Sequence, residues 1–263
     1  NIENKSIKVR IGLDDTDHPE SGCTTETLDN LLSLLVSKIG IEIQERRLVR
    51  LWPFAERRTR GNGALGAIIE AQECEISPIL EACREWFDEL VAEVSQFPDS
   101  EYLTSPCLVI SLEEVTEEWY WSSVRGEVDC SERLEEVIES GCKVFCSGTN
   151  WGVVGASAAV SWPPKPNSSW ELVSWREISN IGKIRQVSYE SVSKLESIFP
   201  DTFLNRDPTK KKGLIAPRTP CPVLYGIRGA NPESVREAHL WLQSQPGVEK
   251  CRSFAIHVTN QLS

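Results

Sequence analysis

Residues 7–25 read IKVRIGLDDTDHPESGCTT and place Asp14, Asp15 and Asp17 within four positions at the end of an apolar alternation. Three carboxylates that close repel one another unless they face water or a cation. Hard, crowded oxygen ligands suit magnesium, which takes one or two carboxylates plus phosphate oxygens. Thr24 and Thr25 follow where a helix begins, and hydroxyls with free backbone N–H groups at a helix start suit an anion. Together these features describe a metal–nucleotide phosphate site. The same residues also describe a solvated acidic turn before a helix.

Two further stretches could serve such a site. Residues 52–63, WPFAERRTRGNG, set Arg57, Arg58 and Arg60 beside Gly61, Asn62 and Gly63. Cations on a flexible glycine turn can clamp phosphate or an RNA backbone. Asn62-Gly63 is equally a hairpin-turn signal, and a turn can hold the clamp. Residues 144–160, VFCSGTNWGVVGASAAV, carry Gly148, Gly152 and Gly155. They form neither a Walker loop nor a dinucleotide fingerprint. By themselves they read first as a tightly packed helix whose glycines admit close backbone approach. His18, His239 and His257 are isolated in sequence, and His239 is expected on a helix surface. Nine scattered cysteines contain no CxxC pair, so no zinc site is expected. An odd count without an apolar leader points to reduced thiols in a cytoplasm.

These residues need positioning elements. Ile7, Val9, Ile11 and Leu13 alternate as in a half-buried strand. Leu28, Leu31, Leu32, Leu35 and Ile39 recur at helical spacing and Gly40 ends the helix. A strand over residues 41–51 then implies a parallel pairing with the first strand through a right-handed crossover. A strand over 64–71, a one-faced helix over 76–94 and a buried strand over 107–112 follow, with a loop at 98–106. Two acidic helical segments, 113–123 and 131–140, are expected to solvate an outer face. Trp119, Tyr120 and Trp121 read as packing residues rather than a base-stacking platform. Residues 162–169, WPPKPNSS, form the linker. Beyond it come a strand at 170–177, a helix at 189–199 and a mobile polar loop at 201–218 carrying Lys210, Lys211 and Lys212. A strand at 223–229, a helix opening at Asn231-Pro232 and a strand at 248–259 complete the order. The reading is α/β, with a first domain over residues 1–165 and a ferredoxin-like α/β domain over 166–263.

The 263 residues carry a net charge of −11. That works against a free-standing nucleic-acid binder, whose footprint is basic. No apolar run reaches membrane-spanning length, so no membrane partner is expected. Methionine is absent, where about five would be usual, as in a segment of a longer chain.

The strings GLDDTDHPESGCTT, RLWPFAERRTRGNGA, GVVGASAAV, TPCPVLYGIRG and HVTNQ occur in this order across nearly the whole chain. The set resembles the archaeal tRNA(Ile2) 2-agmatinylcytidine synthetases. The resemblance implies a kinase-like ATP-binding catalytic domain followed by a ferredoxin-like domain. It implies an ATP-dependent ligase that attaches agmatine to C2 of the wobble cytidine of an isoleucine tRNA, after phosphoryl activation of the base. It makes Asp14, Asp15, Asp17 and Thr24 catalytic, the aspartates holding Mg2+ and Thr24 able to take phosphate. It assigns Arg60, Gly61 and Asn62 to the nucleotide site, and the reading of the residues themselves adds Arg57, Gly152 and Gly155 as ATP-binding candidates. Cys221, Gly226 and Arg228 fall in the region implied for agmatine. The family's OB-fold and zinc ribbon have no counterpart after HVTNQ. A piece of the full enzyme, a short relative that needs added RNA-binding domains, and a regulatory nucleotide-binding relative without autonomous tRNA modification therefore remain open.

Overall fold

The computed structural model describes residues 5–17, 22–56, 62–96 and 104–261. Two compact units divide the chain, Asn1–Pro163 and Pro164–Ser263.

In the first unit, β1 (Ser6–Asp14), α1 (Thr24–Ile39), β2 (Glu42–Arg50), β3 (Gly63–Gln72), α2 (Ile76–Val94) and β4 (Cys107–Ser111) succeed one another. Next come α3 (Glu118–Arg125), α4 (Cys130–Glu139), β5 (Lys143–Cys146) and α5 (Gly152–Ser161). The strands pair antiparallel in the order β5-β4-β1-β3-β2. The expected direct pairing of the first two strands is therefore corrected. β1 and β2 run parallel, but β3 lies between them and bonds both. This is a split β-α-β arrangement of ferredoxin-like type, here underlying the unit expected to be kinase-like. β2 and β3 do form the hairpin that Asn62-Gly63 signals, though not with a tight turn. Arg50 pairs with Gly63, so residues 51–62 form the connection, and Asn62 closes its base.

Alternation along β1 explains the layers. Val9, Ile11 and Leu13 oppose Ile69, Ala67 and Leu65 on the face that takes α1, and α2 packs against α1. Leu28, Leu31, Leu32 and Leu35 of α1 are buried there, and Gly40 in the left-handed region ends that helix. On the other face Gly12 stands directly opposite Gly66. A Cβ at Gly12 would fall on the carbonyl of Ala156, and one at Gly66 would lie 3.2 Å from the Ala159 carbonyl oxygen. The sheet thus has a glycine groove, and α5 lies in it. Arg133 of α4, almost fully buried, fastens the outer helices to α5 by donating to the Trp119 carbonyl and the Ser157 hydroxyl. Trp119 and Tyr120 are buried in this layer.

Cys107 and Cys146 stand opposite each other in the β4–β5 ladder and are disulfide-bonded, with Cα atoms 4.2 Å apart. This corrects the expectation of reduced thiols throughout. The pairing depends on β5, a short strand whose four residues give too little periodicity to be read in advance.

The second unit contains β6 (Ser169–Arg176), α6 (Tyr189–Ile198), a hairpin of β7 (Arg206–Asp207) and β8 (Lys212–Gly213), β9 (Val223–Gly229), α7 (Pro232–Ser244) and β10 (Cys251–Thr259). Its antiparallel order is β10-β6-β9. These are three strands of the ferredoxin-like pattern, with the fourth reduced to the bridge Thr202↔Gly229. Asn231 caps α7 by accepting from Ser234 N, ahead of Pro232. The expected polar loop at 201–218 is anchored instead. Asn205 and Ile215 are buried, and Asn205 exchanges hydrogen bonds with the backbone of Arg228. Arg176 and Glu249 form a buried bidentate pair at 2.8 Å.

His239 is 1% exposed rather than on the surface of α7. Its ring packs between Phe254 and Tyr225, with centroids 4.6 and 5.8 Å away. Burial drives its pKa down to about 4 from the usual 6.5. The neutral ring's contribution is therefore complete above pH 6.5 and lost as pH falls toward 4, by roughly 3 kcal/mol.

Two outcomes are expected. Gly12→Ala should cost about 1–3 kcal/mol by forcing α5 off the sheet, read as a lowered midpoint in urea unfolding. A midpoint within error of the parent would contradict the groove. His239→Gln should flatten the loss of stability between pH 6.5 and 4; an unchanged pH profile would show that this ring is not the acid-sensitive group.

Candidate functional site

β1 delivers Asp14 to the edge of the glycine groove. Gly155, in the first turns of α5, lacks the Cβ that would occupy the position of the Asp14 carboxylate. Gly152 similarly lets the helix start pack against the Asp14 carbonyl and the Ser105–Cys107 backbone. Both glycines are buried. Asp14 is 7% exposed, and its Oδ1 is buried without a hydrogen-bond partner among the described residues. Burial first, then the nearby charges of Asp15 and Asp17, hold its pKa well above the ordinary carboxylate value. The positive end of the α5 dipole offsets part of that cost.

The neighbouring aspartates are tied to other elements. Asp15 has φ 59°, a left-handed conformation that aspartate tolerates, and its Oδ2 accepts from Ser105 N at 2.8 Å. Asp17 Oδ1 accepts from Thr24 N at 2.6 Å and from the Thr24 hydroxyl at 3.0 Å. Asp17 thus caps α1 in place of Cys23, whose side chain makes no cap. Thr24 is 2% exposed, and its hydroxyl also accepts from Thr16. Because each carboxylate answers to a different element, no group of three or more His, Cys, Asp or Glu side chains converges as a metal-holding set among the described residues. Three aspartates do not make an all-protein magnesium cage. A single orphaned, electrostatically strained carboxylate next to Asp15 does fit a magnesium ion that brings its own phosphate ligands.

Ser105 and Thr149 belong to this centre, although neither residue type nor spacing marked them. The Ser105 hydroxyl is 2.9 Å from the Thr149 hydroxyl and accepts from Thr149 N. Gly148 at φ 61° and Asn150 at φ 61° give the 147–151 loop the shape that these bonds require. Asn62, at φ 45°, donates through its side-chain amide to the Trp52 carbonyl at 2.6 Å. It holds the base of the connection that carries the arginines. His18, Arg57, Arg58, Arg60 and Gly61 lie outside the described residues.

In the second unit the structure gathers Gly226 and Arg228 around Glu171, a buried carboxylate that the sequence did not single out. Glu171 Oε1 lies 3.5 Å from Arg228 Nε and would be 2.7 Å from a Cβ at Gly226. Arg228 also donates to Gln261 and to the Leu204 carbonyl. Cys221 is not part of this cluster. It sits before β9, where the Arg185 guanidinium donates to the carbonyls of Pro217, Thr219, Cys221 and Val223 and lies 3.3 Å from the Cys221 sulfur.

The chain matches two family models, the TiaS TCKD domain over residues 10–149 and the TiaS FLD domain over residues 150–263. The second match begins just before α5, a helix that packs within the first unit. The chain is 32% identical over 259 residues to the tRNA(Ile2) 2-agmatinylcytidine synthetase TiaS of Cenarchaeum symbiosum, covering 97% of this chain and 55% of that protein. Against the protein of the same name from Pyrococcus horikoshii the identity is 30%, covering 96% and 58%. The chain thus spans little more than half the length of these relatives. The fold superposes on a crystal structure of a TiaS–tRNA(Ile2)–AMPCPP–agmatine complex with a TM-score of 0.80 and 26% identity, covering 97% of this chain and 60% of that one. A TiaS–tRNA(Ile2)–ATP complex gives 0.81 at 27% identity, covering 97% and 59%. Matched from residue 10 to residue 263 by its two domain models, this chain belongs to the TiaS family.

Proposed function

We propose that this chain carries the phosphoryl-transfer and amine-handling parts of an ATP-dependent, cytoplasmic ligase that joins agmatine to C2 of the wobble cytidine of tRNA(Ile2). The observation that carries the reading is Asp14, buried at the start of α5 with an unpartnered oxygen and a carboxyl whose pKa burial and the neighbouring aspartates push well up. Relatives crystallised with ATP or AMPCPP, tRNA(Ile2) and agmatine support the same substrates.

Asp14 and Asp15 hold the magnesium side of the nucleotide, and Arg57, Arg60, Gly61 and Asn62 clamp its phosphates. Gly152 and Gly155 keep the α5 N-terminus close enough for its N–H groups to face negative charge. Bound Mg–ATP supplies an activated phosphoryl group whose charge the metal neutralises. Asp17, already bonded to the Thr24 hydroxyl, is placed to accept the proton of that hydroxyl if Thr24 takes phosphate. Agmatine is dicationic and needs carboxylates or carbonyls. Glu171, beside Gly226 and Arg228, offers the carboxylate, and Cys221 lies just ahead of the strand that carries Gly226 and Arg228.

Asp15→Asn keeps the left-handed backbone and the Ser105 bond, so it should leave the thermal midpoint within a few degrees while abolishing magnesium-dependent ATP hydrolysis. Unchanged turnover would end the assignment. Asp14→Asn should also abolish hydrolysis, yet raise the midpoint without nucleotide at pH 7. The raised carboxyl pKa means that ionisation at neutral pH opposes folding, and an amide removes that penalty. A lowered midpoint would contradict the strained carboxylate. Incubation with ATP, magnesium, agmatine and tRNA(Ile2), followed by mass analysis of the cytidine, should show the agmatine adduct; ATP turnover without any adduct would rule out the ligase reading for this chain alone.

A further inference from the structure

The second unit holds a cleft that neither the acidic loop nor the Glu171 cluster uses. Its volume is about 370 Å³. One wall is residues 182–189, leading into α6, and the other is residues 213–220, leading toward β9. Lys183, Arg185 and Arg218 line it, and no acidic side chain does. In a chain with 39 acidic and 28 basic residues, that segregation is unusual. The same charge continues along the chain. Gly213 at the cleft follows Lys210, Lys211 and Lys212 at the β7–β8 tip, where Lys210 and Lys211 are exposed.

Few of these cations have an acidic neighbour: Glu249 acts on Arg185, and Asp207 stands opposite Lys212 in the β7–β8 hairpin. The ion pairs of this unit engage Arg176, Arg206 and Arg228. Among the described residues, none engages Lys183, Lys210, Lys211, Lys212 or Arg218. The walls are also held in place. Arg185 starts from one wall and donates to the Pro217 and Thr219 carbonyls of the other. Ser188, the N-cap of α6, lies at the cleft as well, so the positive end of that helix dipole adds to the field. A rigid concavity of like charges repels itself and is relieved by a polyanion.

We infer that this cleft and the lysine tip form a track for the phosphodiester backbone of RNA. The inference rests on the reading of a tRNA partner, but it places RNA phosphates on the second unit itself. The exposed groups offered, Lys210, Lys211 and Arg218, suit phosphate oxygens rather than base edges, so the track positions the strand without reading its sequence.

The test uses the whole chain and an unmodified tRNA(Ile2) transcript, with binding measured by fluorescence anisotropy across a salt series. K210A/K211A/R218A should bind about tenfold or more weakly, and the slope of log affinity against log salt should shrink by about 2. Its thermal midpoint and its ATP hydrolysis without RNA should stay at the parent level. K8A/K143A/K165A, removing three exposed lysines elsewhere, should keep the parent's slope. An unchanged slope in the first variant, or an equal loss in the second, would overturn the track. So would a parent chain that hydrolyses ATP but has no tRNA affinity at low salt. Absence of ATP hydrolysis with the slope difference intact would instead overturn the ligase reading and leave the track standing.

Discussion

Close approach of α5 to the first unit's sheet is the constraint from which the rest of that unit follows. Gly12 and Gly66 face each other across the β1–β3 ladder and leave a groove only a backbone can fill. The helix that fills it is built of small residues, Gly152 to Ser161. Interiors pack at crystal-like density, so one methyl group on either side would push the layers apart. With the layers in contact, the start of α5 meets the end of β1, and the carboxylate of Asp14 has nowhere to go except into the space that Gly155 leaves.

That placement has an electrostatic cost, which the local structure divides. Asp15 finds a backbone amide in Ser105 and Asp17 finds the first turn of α1. Asp14 alone keeps a buried oxygen without a partner. A native structure rarely leaves a buried polar atom unsatisfied without a reason. Burial and the nearby charges of Asp15 and Asp17 oppose ionisation of this carboxyl. The positive end of the α5 dipole acts the other way and offsets part of that cost.

In the second unit, polar groups are placed by a different device. Arg176 with Glu249, Arg228 with Glu171, and Arg185 with four carbonyls each fix a segment by many directed bonds to one planar guanidinium. A buried charge is tolerable only when it is bonded on every side. The segments held this way, 183–185, 204–205 and 217–223, are those with little regular secondary structure of their own. Guanidinium bonding does there what strand pairing does elsewhere.

The sequence by itself determined the longer elements, though not the short strands β5, β7 and β8, and the chemistry of single residues. The helix over 76–94 was legible because its apolar residues recur at 3.6, and the acidic loop because three aspartates cannot be neighbours without consequence. The resemblance carried by GLDDTD and TPCPVLYGIRG gave the family, which the domain models bear out. What the sequence could not show was which distant segments meet. The insertion of β3 between β1 and β2, the β4–β5 disulfide across 39 residues, the Ser105–Asp15 bond across 90 and the burial of His239 are all of this kind. Periodicity reports how a segment relates to its own axis. Register and close approach are decided by the packing of whole layers, and only the tertiary structure fixes which glycine, carboxylate or thiol those layers bring face to face.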